Sequence, residues 1–270
     1  MEFSRFVAIG DSQTEGMGDV QVDGVYRGWA DRLAEQLAAT VSPGLQYANL
    51  AIRGKNTRAA LREQLNPALA LNPDLIAAPL GMNDVIGRAD FEQLRDDFAV
   101  VYGRLAETGA TVLVSTFPDV TSTIPFGATL RSRLLALNEL VVEVAERYGF
   151  VLVDLYSAPV LTDLRSWSVD RLHASPVGHQ RFAAGAAHAL GLPGSDPQWG
   201  RPLSPLPAVG RSAAAYRDAR WAVEFFIPWF VRHVRGVSLG DGLSPKRPAL
   251  TPVRGQESPA DQGVDPAAFG

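Results

Sequence analysis

Residues 6–16 read FVAIGDSQTEG. The short apolar run Phe6–Ile9 ends abruptly in Gly10–Asp11–Ser12. This pattern predicts a buried strand that ends in a tight turn, with the serine hydroxyl at the carboxyl end of the strand. Open α/β sheets build their active sites at that edge, so Ser12 is a candidate nucleophile. Taken alone, the segment favours the simpler interpretation, in which Ser12 caps the following helix.

Similar strand signals recur along the chain and alternate with amphipathic stretches. Strands are predicted at Phe6–Gly10, Gln46–Asn49, Leu75–Leu80, Thr111–Ser115 and Val151–Asp154. Helices are predicted at Trp29–Ala39, Thr57–Leu65, Asp90–Glu107, Leu130–Tyr148 and Pro176–Leu190. Alternation of this kind predicts a parallel sheet covered by helices on both faces. Right-handed crossovers then bring the carboxyl ends of all the strands to one edge.

The composition changes after Gly191, and the chain is predicted to have four parts. Residues 1–191 form the α/β domain, and residues 192–210, which carry five prolines, form an extended connector. Residues 211–248 form an aromatic helical extension that packs on the domain, and Pro228 should break it. Residues 249–270 form a flexible tail. An alternative for residues 221–235 is a lid or a membrane-surface patch, with Arg232 and Arg235 beside the aromatic side chains.

Composition excludes several classes of function. The formal charge is −4, so no net positive field would gather nucleic acid. The 270 residues include no cysteine, which excludes disulfides, thiolate nucleophiles and cysteine-ligated metals. No stretch has the ~18 consecutive apolar residues that span a bilayer, and the amino terminus does not resemble a signal peptide. These features predict a soluble, cytoplasmic protein that needs no metal or cofactor.

A general base for Ser12 is available in a late loop, at residues 170–173, which read DRLH. A serine hydroxyl is a poor nucleophile until an imidazole takes its proton, and His173 can act as that base. Asp170 lies three residues earlier and can hold the other ring nitrogen, which fixes the tautomer and stabilises the imidazolium. The sequence therefore contains each part of a Ser–His–Asp arrangement.

Donors for an oxyanion follow two other predicted strands. Gly54 follows the second strand, and Asn83 lies in residues 81–84, which read GMND and follow the third. The backbone N–H groups of Ser12 and Gly54, with the side-chain amide of Asn83, could stabilise a tetrahedral intermediate. Asp11 and Asp84 are interpreted as supporting residues that brace the turn and orient the loop. His179, in the last helix of the domain, is interpreted as a structural histidine.

These four blocks, in this order, resemble the SGNH hydrolases, also called the GDSL esterase/lipase family. The resemblance covers residues 6–190 and rests on Ser12, Gly54, Asn83 and His173. It implies a three-layer, flavodoxin-like α/β/α fold with a five-stranded parallel sheet, and ester hydrolysis through an acyl-enzyme. It implies Ser12 as nucleophile, His173 as base with Asp170 as its partner, and Ser12, Gly54 and Asn83 as the oxyanion hole. The first block resembles the bacterial small-esterase branch, and the carboxyl-terminal extension resembles that of actinobacterial members.

The resulting hypothesis is a serine esterase that hydrolyses small or medium acyl esters. Two alternatives remain open at this point. The same site could transfer the acyl group to an alcohol or sugar hydroxyl, or the chain could be a non-catalytic binding protein that retains the fold. The predicted partner is a small-molecule acyl ester, and the extension could also support a homo-oligomer or a weak membrane contact through residues 221–235.

Overall fold

A six-stranded sheet with helices on both faces forms the centre of the molecule, in a computed structural model of the chain. The structure describes residues 2–21, 24–87, 89–120, 123–124, 127–207, 210–228 and 240–253. The strands are β1 (Arg5–Ala8), β2 (Gln46–Asn49), β3 (Leu75–Ala77), β4 (Thr111–Ser115), β5 (Val151–Val153) and β6 (Arg247–Pro252), and their order across the sheet is β5-β4-β3-β1-β2-β6. The predicted α/β architecture is confirmed.

The first five strands are parallel. The central residues of β1 to β4 are almost wholly buried, because helices cover both faces of the sheet. The helices are α1 (Ser12–Glu15), α2 (Gly28–Thr40), α3 (Thr57–Glu63), α4 (Leu65–Ala70), α5 (Met82–Ile86), α6 (Phe91–Ala106), α7 (Arg131–Tyr148), α8 (Pro176–Ala189) and α9 (Arg211–Trp221). The strands β1, β2 and β3 end at the turns that carry Ser12, Gly54 and Asn83.

The sixth strand corrects the prediction of a five-stranded, wholly parallel sheet. β6 runs antiparallel to β2 and pairs Tyr47 with Thr251. It also crosses the predicted boundary between the extension and the flexible tail, so residues 249–252 are strand and not tail. Its sequence, RPALTP, contains two prolines and no clear alternation, and proline is compatible with a strand only at a sheet edge or a bulge. That composition is why the sequence did not predict a strand here.

The carboxyl-terminal extension begins with helix α9, and its residues 240–246 are not helical. Helix α9 continues as one π-helical turn, Ala222–Phe226. Of its aromatic and aliphatic side chains, Trp221 is buried, whereas Tyr216, Val223 and Ile227 each expose more than half of their surface. Packing on the domain is therefore seen at Trp221. The predicted surface patch at Arg232 and Arg235, and the tail beyond residue 253, lie outside the described residues.

Within the described residues, no helix is long and apolar enough to cross a membrane.

Candidate active site

Ser12 lies at the first position of the short helix α1, immediately after β1. The helix cap is Asp11, whose carboxylate accepts the Gln13 N–H at 3.0 Å. Capping is thus performed by the residue before Ser12, and the serine hydroxyl is left for another role. The hydroxyl makes no hydrogen bond within the part of the chain that the structure describes.

The turn that presents Ser12 depends on Gly10. This residue has a φ of 151°, and a Cβ there would lie 2.7 Å from Thr14 Oγ1. The buried side chain of Gln64 binds both backbone groups of Gly10, accepting its N–H at 2.8 Å and donating to its carbonyl at 2.9 Å. The strand end is therefore fixed by a glycine and by a glutamine that the sequence interpretation did not single out.

His173 and Asp170 lie in a hairpin that precedes α8. The hairpin is closed by the Ser168 N–H, which donates to the His173 carbonyl at 2.8 Å, and by an antiparallel bridge from Trp167 to Ala174. His173 Nδ1 lies 2.7 Å from Asp170 Oδ2. Because an ionised carboxylate can only accept, Nδ1 carries a proton, and in the neutral imidazole Nε2 is then the acceptor. The structure therefore brings together the predicted base and its predicted partner.

The other oxygen of Asp170 organises the hairpin. Asp170 Oδ1 accepts the Ser168 hydroxyl at 2.7 Å and the N–H groups of Leu172 and His173 at 2.9 and 3.0 Å. Burial alone would raise the pKa of Asp170, but the hydrogen bonds and charge of His173, together with Ser168, outweigh it and hold the pKa well below its usual range. Asp170 is thus a carboxylate at any pH near neutrality.

Gln13 connects the two halves of the candidate site. Its amide donates to the Leu172 carbonyl at 2.8 Å and accepts the Ala174 N–H at 3.2 Å. These two residues flank His173, and Gln13 itself follows Ser12, so one side chain holds the hairpin of His173 against the turn of Ser12. The sequence interpretation missed this role, although the position of Gln13 beside Ser12 was a signal for it.

Three candidate hydrogen-bond donors to an oxyanion are predicted: the N–H groups of Ser12 and Gly54 and the side-chain amide of Asn83. Neither the Ser12 nor the Gly54 N–H donates a hydrogen bond among the described residues, so both are available to a substrate oxygen. Asn83 Nδ2 donates to the Lys55 carbonyl at 2.9 Å and to Asp11 Oδ2 at 3.2 Å. The contact with Asp11 is the longer of the two, and an oxyanion could replace it.

Burial raises the pKa of Asp11 to about 6.

Asp84 holds the loop that carries Asn83. Its Oδ2 accepts both the N–H and the hydroxyl of Thr57, at 2.9 and 2.8 Å, at the start of α3. These contacts are those of a residue that orients the loop. Among the described residues, no group of three or more His, Asp or Glu side chains could hold a metal ion.

An apolar cavity of about 40 Å³ opens between the carboxyl ends of the strands and helix α8. Asp11, Gln13 and Leu172, the neighbours of Ser12 and His173, form part of its wall. The remaining lining is mostly apolar: Trp29, Pro79, Met82, Leu113, Ser115, Phe117, Pro118, Val120, Val153, Leu155, Trp167, Phe182 and Ala186. A cavity of ~150 Å³ holds a benzene molecule, so this cavity accepts a group of about one or two carbons.

The sequence pattern of the GDSL-like Lipase/Acylhydrolase family matches residues 8–181, which is more than half of the chain. The chain belongs to this family. This GDSL-like protein is therefore a carboxylic ester hydrolase, and the family match begins within β1 and ends within α8. No curated protein sequence matches the chain significantly.

Solved structures share the fold of this GDSL-like hydrolase. LAE5, an alpha/beta hydrolase enzyme from the metagenome of Lake Arreo, is 24% identical, with a TM-score of 0.56 over 70% of this chain and 95% of that one. A variant of Axe2, an acetyl xylan esterase from Geobacillus stearothermophilus, is 22% identical, with a TM-score of 0.56 over 70% and 94%. A GDSL-like lipase assigned in Parabacteroides merdae is 19% identical, with a TM-score of 0.60 over 70% and 95%. All three cover the α/β fold and show similarity of fold alone.

His179 lies on α8 and is fully buried against the start of α2 and the loop after α1. Its Nδ1 accepts the Trp29 N–H at 3.1 Å, so Nε2 carries the proton and donates to the Met17 carbonyl at 2.9 Å. Burial lowers the pKa of His179 from 6.5 to about 4. The contacts are those of a neutral structural histidine.

This burial predicts a pH-dependent contribution to stability. Above pH 6.5 the contribution of neutral His179 is fully present, and it is lost as the pH falls towards 4, because the unfolded chain takes up the proton first. Between pH 7 and pH 5 the free energy of unfolding of the wild type should fall by about 2 kcal/mol more than that of His179→Gln. Urea denaturation of both proteins at the two pH values measures this difference.

The comparison with His179→Gln is needed because other buried groups act in the opposite direction. Burial also raises the pKa of Asp31 to about 6, as it does that of Asp11, so protonation of these carboxyls favours the folded state over the same range. Equal pH dependence of the two proteins would contradict the assignment of a neutral His179.

Proposed function

We propose that this chain is a serine esterase that hydrolyses small acyl esters through an acyl-enzyme, with Ser12 as nucleophile. The observation that carries the proposal is the pair of hydrogen bonds from the side chain of Gln13, the residue after Ser12, to the residues on either side of His173. His173 is in turn hydrogen-bonded to Asp170. Membership of the hydrolase family supports the reaction class.

In the proposed reaction, Ser12 Oγ attacks the ester carbonyl carbon while its proton passes to His173 Nε2. The carbonyl oxygen becomes an oxyanion that accepts from the N–H groups of Ser12 and Gly54 and from Asn83 Nδ2. Collapse of this intermediate releases the alcohol, which takes the proton from His173 and leaves the acyl group on Ser12. Water then attacks the acyl carbon with His173 as base and frees the acid.

Asp170 supports this cycle by its charge and its position. Its carboxylate holds Nδ1–H, which keeps Nε2 free to accept the serine proton, and it stabilises the imidazolium that forms. No hydrogen bond joins the Ser12 hydroxyl to His173 among the described residues, and the proposed cycle requires one in the substrate complex. Catalytic hydrogen bonds of this kind are often long in the absence of substrate.

The apolar cavity beside Ser12 favours short acyl groups. Its volume of about 40 Å³ accepts an acetyl or propionyl chain without displacing core side chains. Hydrolysis of p-nitrophenyl esters from acetate to octanoate should therefore show the highest kcat/KM at acetate or propionate, and a decline of at least ~10-fold by octanoate. A profile that rises continuously to octanoate would contradict short-acyl specificity.

A substitution that fills the cavity also tests the specificity for short acyl groups. Ala186 is buried on α8 and lines the cavity. Ala186→Val should lower kcat/KM for butyrate ~10-fold more than for acetate, because each methylene that no longer fits costs about this factor. Ala184→Val, on the same helix but away from the cavity, controls for the branched side chain and should leave the butyrate-to-acetate ratio unchanged.

A further inference from the structure

Arg171 adopts an unusual backbone conformation between the predicted base and its partner. Its φ is 58°, and it is one of two non-glycine residues with positive φ among the described residues, the other being Asn72. The left-handed region is disfavoured for any residue that has a Cβ. The conformation allows the next two N–H groups, of Leu172 and His173, to converge on Asp170 Oδ1. A disfavoured conformation persists only where the surrounding structure holds it.

Helix α9 of the carboxyl-terminal extension makes contacts that stabilise Arg171 in this conformation. The Arg171 side chain is buried, and its guanidinium donates to Asp218 Oδ1 at 2.7 Å. The same guanidinium lies over the Trp221 ring, 5.0 Å from its centroid. The Trp221 indole N–H donates to the Asp170 carbonyl at 3.0 Å. Two residues of α9 therefore fix both the backbone before Arg171 and the side chain of Arg171 itself.

A later part of the extension touches the other side of the site. Gly240 packs on the Arg53 carbonyl so closely that a Cβ would lie 2.0 Å from that oxygen. Arg53 precedes Gly54, one of the proposed oxyanion donors, and its guanidinium pairs with Glu15 of α1. The extension therefore contacts the loop of Gly54 as well as the hairpin of His173.

We propose that the carboxyl-terminal extension positions the active site, with Asp218 and Trp221 as positioning residues that hold Arg171 in its left-handed conformation. The proposal rests on the proposed function for its catalytic consequence. If Arg171 relaxes to negative φ, the N–H groups that follow it turn away from Asp170, and the Asp170–His173 hydrogen bond is lost. Substrate binding uses the cavity beside Ser12, most of whose lining residues lie outside the hairpin.

The test compares Asp218→Asn and Trp221→Phe in the full chain. Both variants should lower kcat for p-nitrophenyl acetate ~10–100-fold, while KM stays within about twofold, because the base is misplaced and most of the cavity lining lies outside the hairpin. The matched control is Glu224→Gln, which removes an exposed ion pair with Arg220 just after α9 and should leave kcat unchanged. A kcat in Asp218→Asn and Trp221→Phe equal to that of the wild type would overturn the proposal.

A second comparison, made in the Arg171→Gly variant, separates positioning of the Asp170–His173 pair from a general loss of structure. Glycine adopts positive φ without support, so in Arg171→Gly the hairpin no longer needs Asp218. Adding Asp218→Asn to Arg171→Gly should therefore cause little further loss of kcat. A loss as large as in the wild-type background would show that Asp218 acts through something other than Arg171, and would overturn this assignment.

Hydrogen–deuterium exchange measures the protection of the hairpin amides independently of catalysis. The amides of Leu172 and His173 donate to Asp170, so a peptide covering residues 170–174 should exchange faster in Asp218→Asn than in the wild type or in Glu224→Gln. Equal exchange would contradict the proposal even if activity changed. If no variant and not even the wild type hydrolyses an ester, the proposed function fails, and the exchange rates still decide whether the extension holds the hairpin.

Discussion

Ser12→Ala should reduce kcat for p-nitrophenyl acetate by at least ~10⁴-fold, because it removes the oxygen that forms the proposed acyl-enzyme. The substitution removes only a hydroxyl that makes no hydrogen bond among the described residues. Capping of α1 belongs to Asp11, so the helix and the turn should survive. The free energy of unfolding, measured in urea, should change by less than about 0.5 kcal/mol.

The matched control for this substitution is Ser157→Ala, at an exposed serine that follows β5 near the same edge of the sheet. It should hydrolyse the ester at the wild-type rate. Residual activity above about one tenth of the wild-type kcat in Ser12→Ala would remove Ser12 from the role of nucleophile, and a well-folded binding protein would become the better interpretation.

Asp170→Asn should lower kcat by ~10⁴-fold, because it changes the tautomer of His173. The asparagine oxygen can keep the three donors that now reach Asp170 Oδ1, so the hairpin should stay closed. Its amide NH₂ would then face His173 Nδ1, which must become the acceptor. The proton moves to Nε2, and the imidazole can no longer take the proton of Ser12.

Asp163→Asn provides the control for the loss of a loop aspartate. Asp163 accepts the Arg165 N–H at 2.9 Å and pairs with its guanidinium, but it has no contact with His173. This variant should keep the wild-type kcat. A loss of less than tenfold in Asp170→Asn, with the hairpin intact, would show that the carboxylate does not set the tautomer.

The parts of the fold that the sequence predicts correctly are those with a strong local pattern. Gln46–Asn49 and Thr111–Ser115 are strands with the bounds that their apolar runs indicate, and Pro176 begins α8 as a proline at a helix start should. Strand ends then locate the candidate site, because parallel strands bring their carboxyl ends to one edge. The roles assigned to Ser12, Gly54, Asn83, Asp170 and His173 remain proposals for the experiments above.

The contacts that the sequence did not reveal are long-range and involve residues without a local signal. Gln64 holds Gly10 from 54 positions away, and Trp221 binds the Asp170 carbonyl from 51 positions away. A glutamine between two helices, or a tryptophan at the end of a helix, has no periodicity that points to such a partner. β6 was missed for a related reason, since an edge strand with two prolines is defined by its pairing with β2 and not by its own composition.

The central claim is that the Ser12 hydroxyl is an activated nucleophile, and reaction with a fluorophosphonate probe tests it most directly. An activated serine oxygen forms a bond to phosphorus and expels fluoride, and the adduct can be assigned to a residue by peptide mass spectrometry. We expect stoichiometric labelling of Ser12 in the wild type and none in Ser12→Ala. Folded wild-type protein that remains unlabelled, or that carries the label on a different residue, would contradict the account.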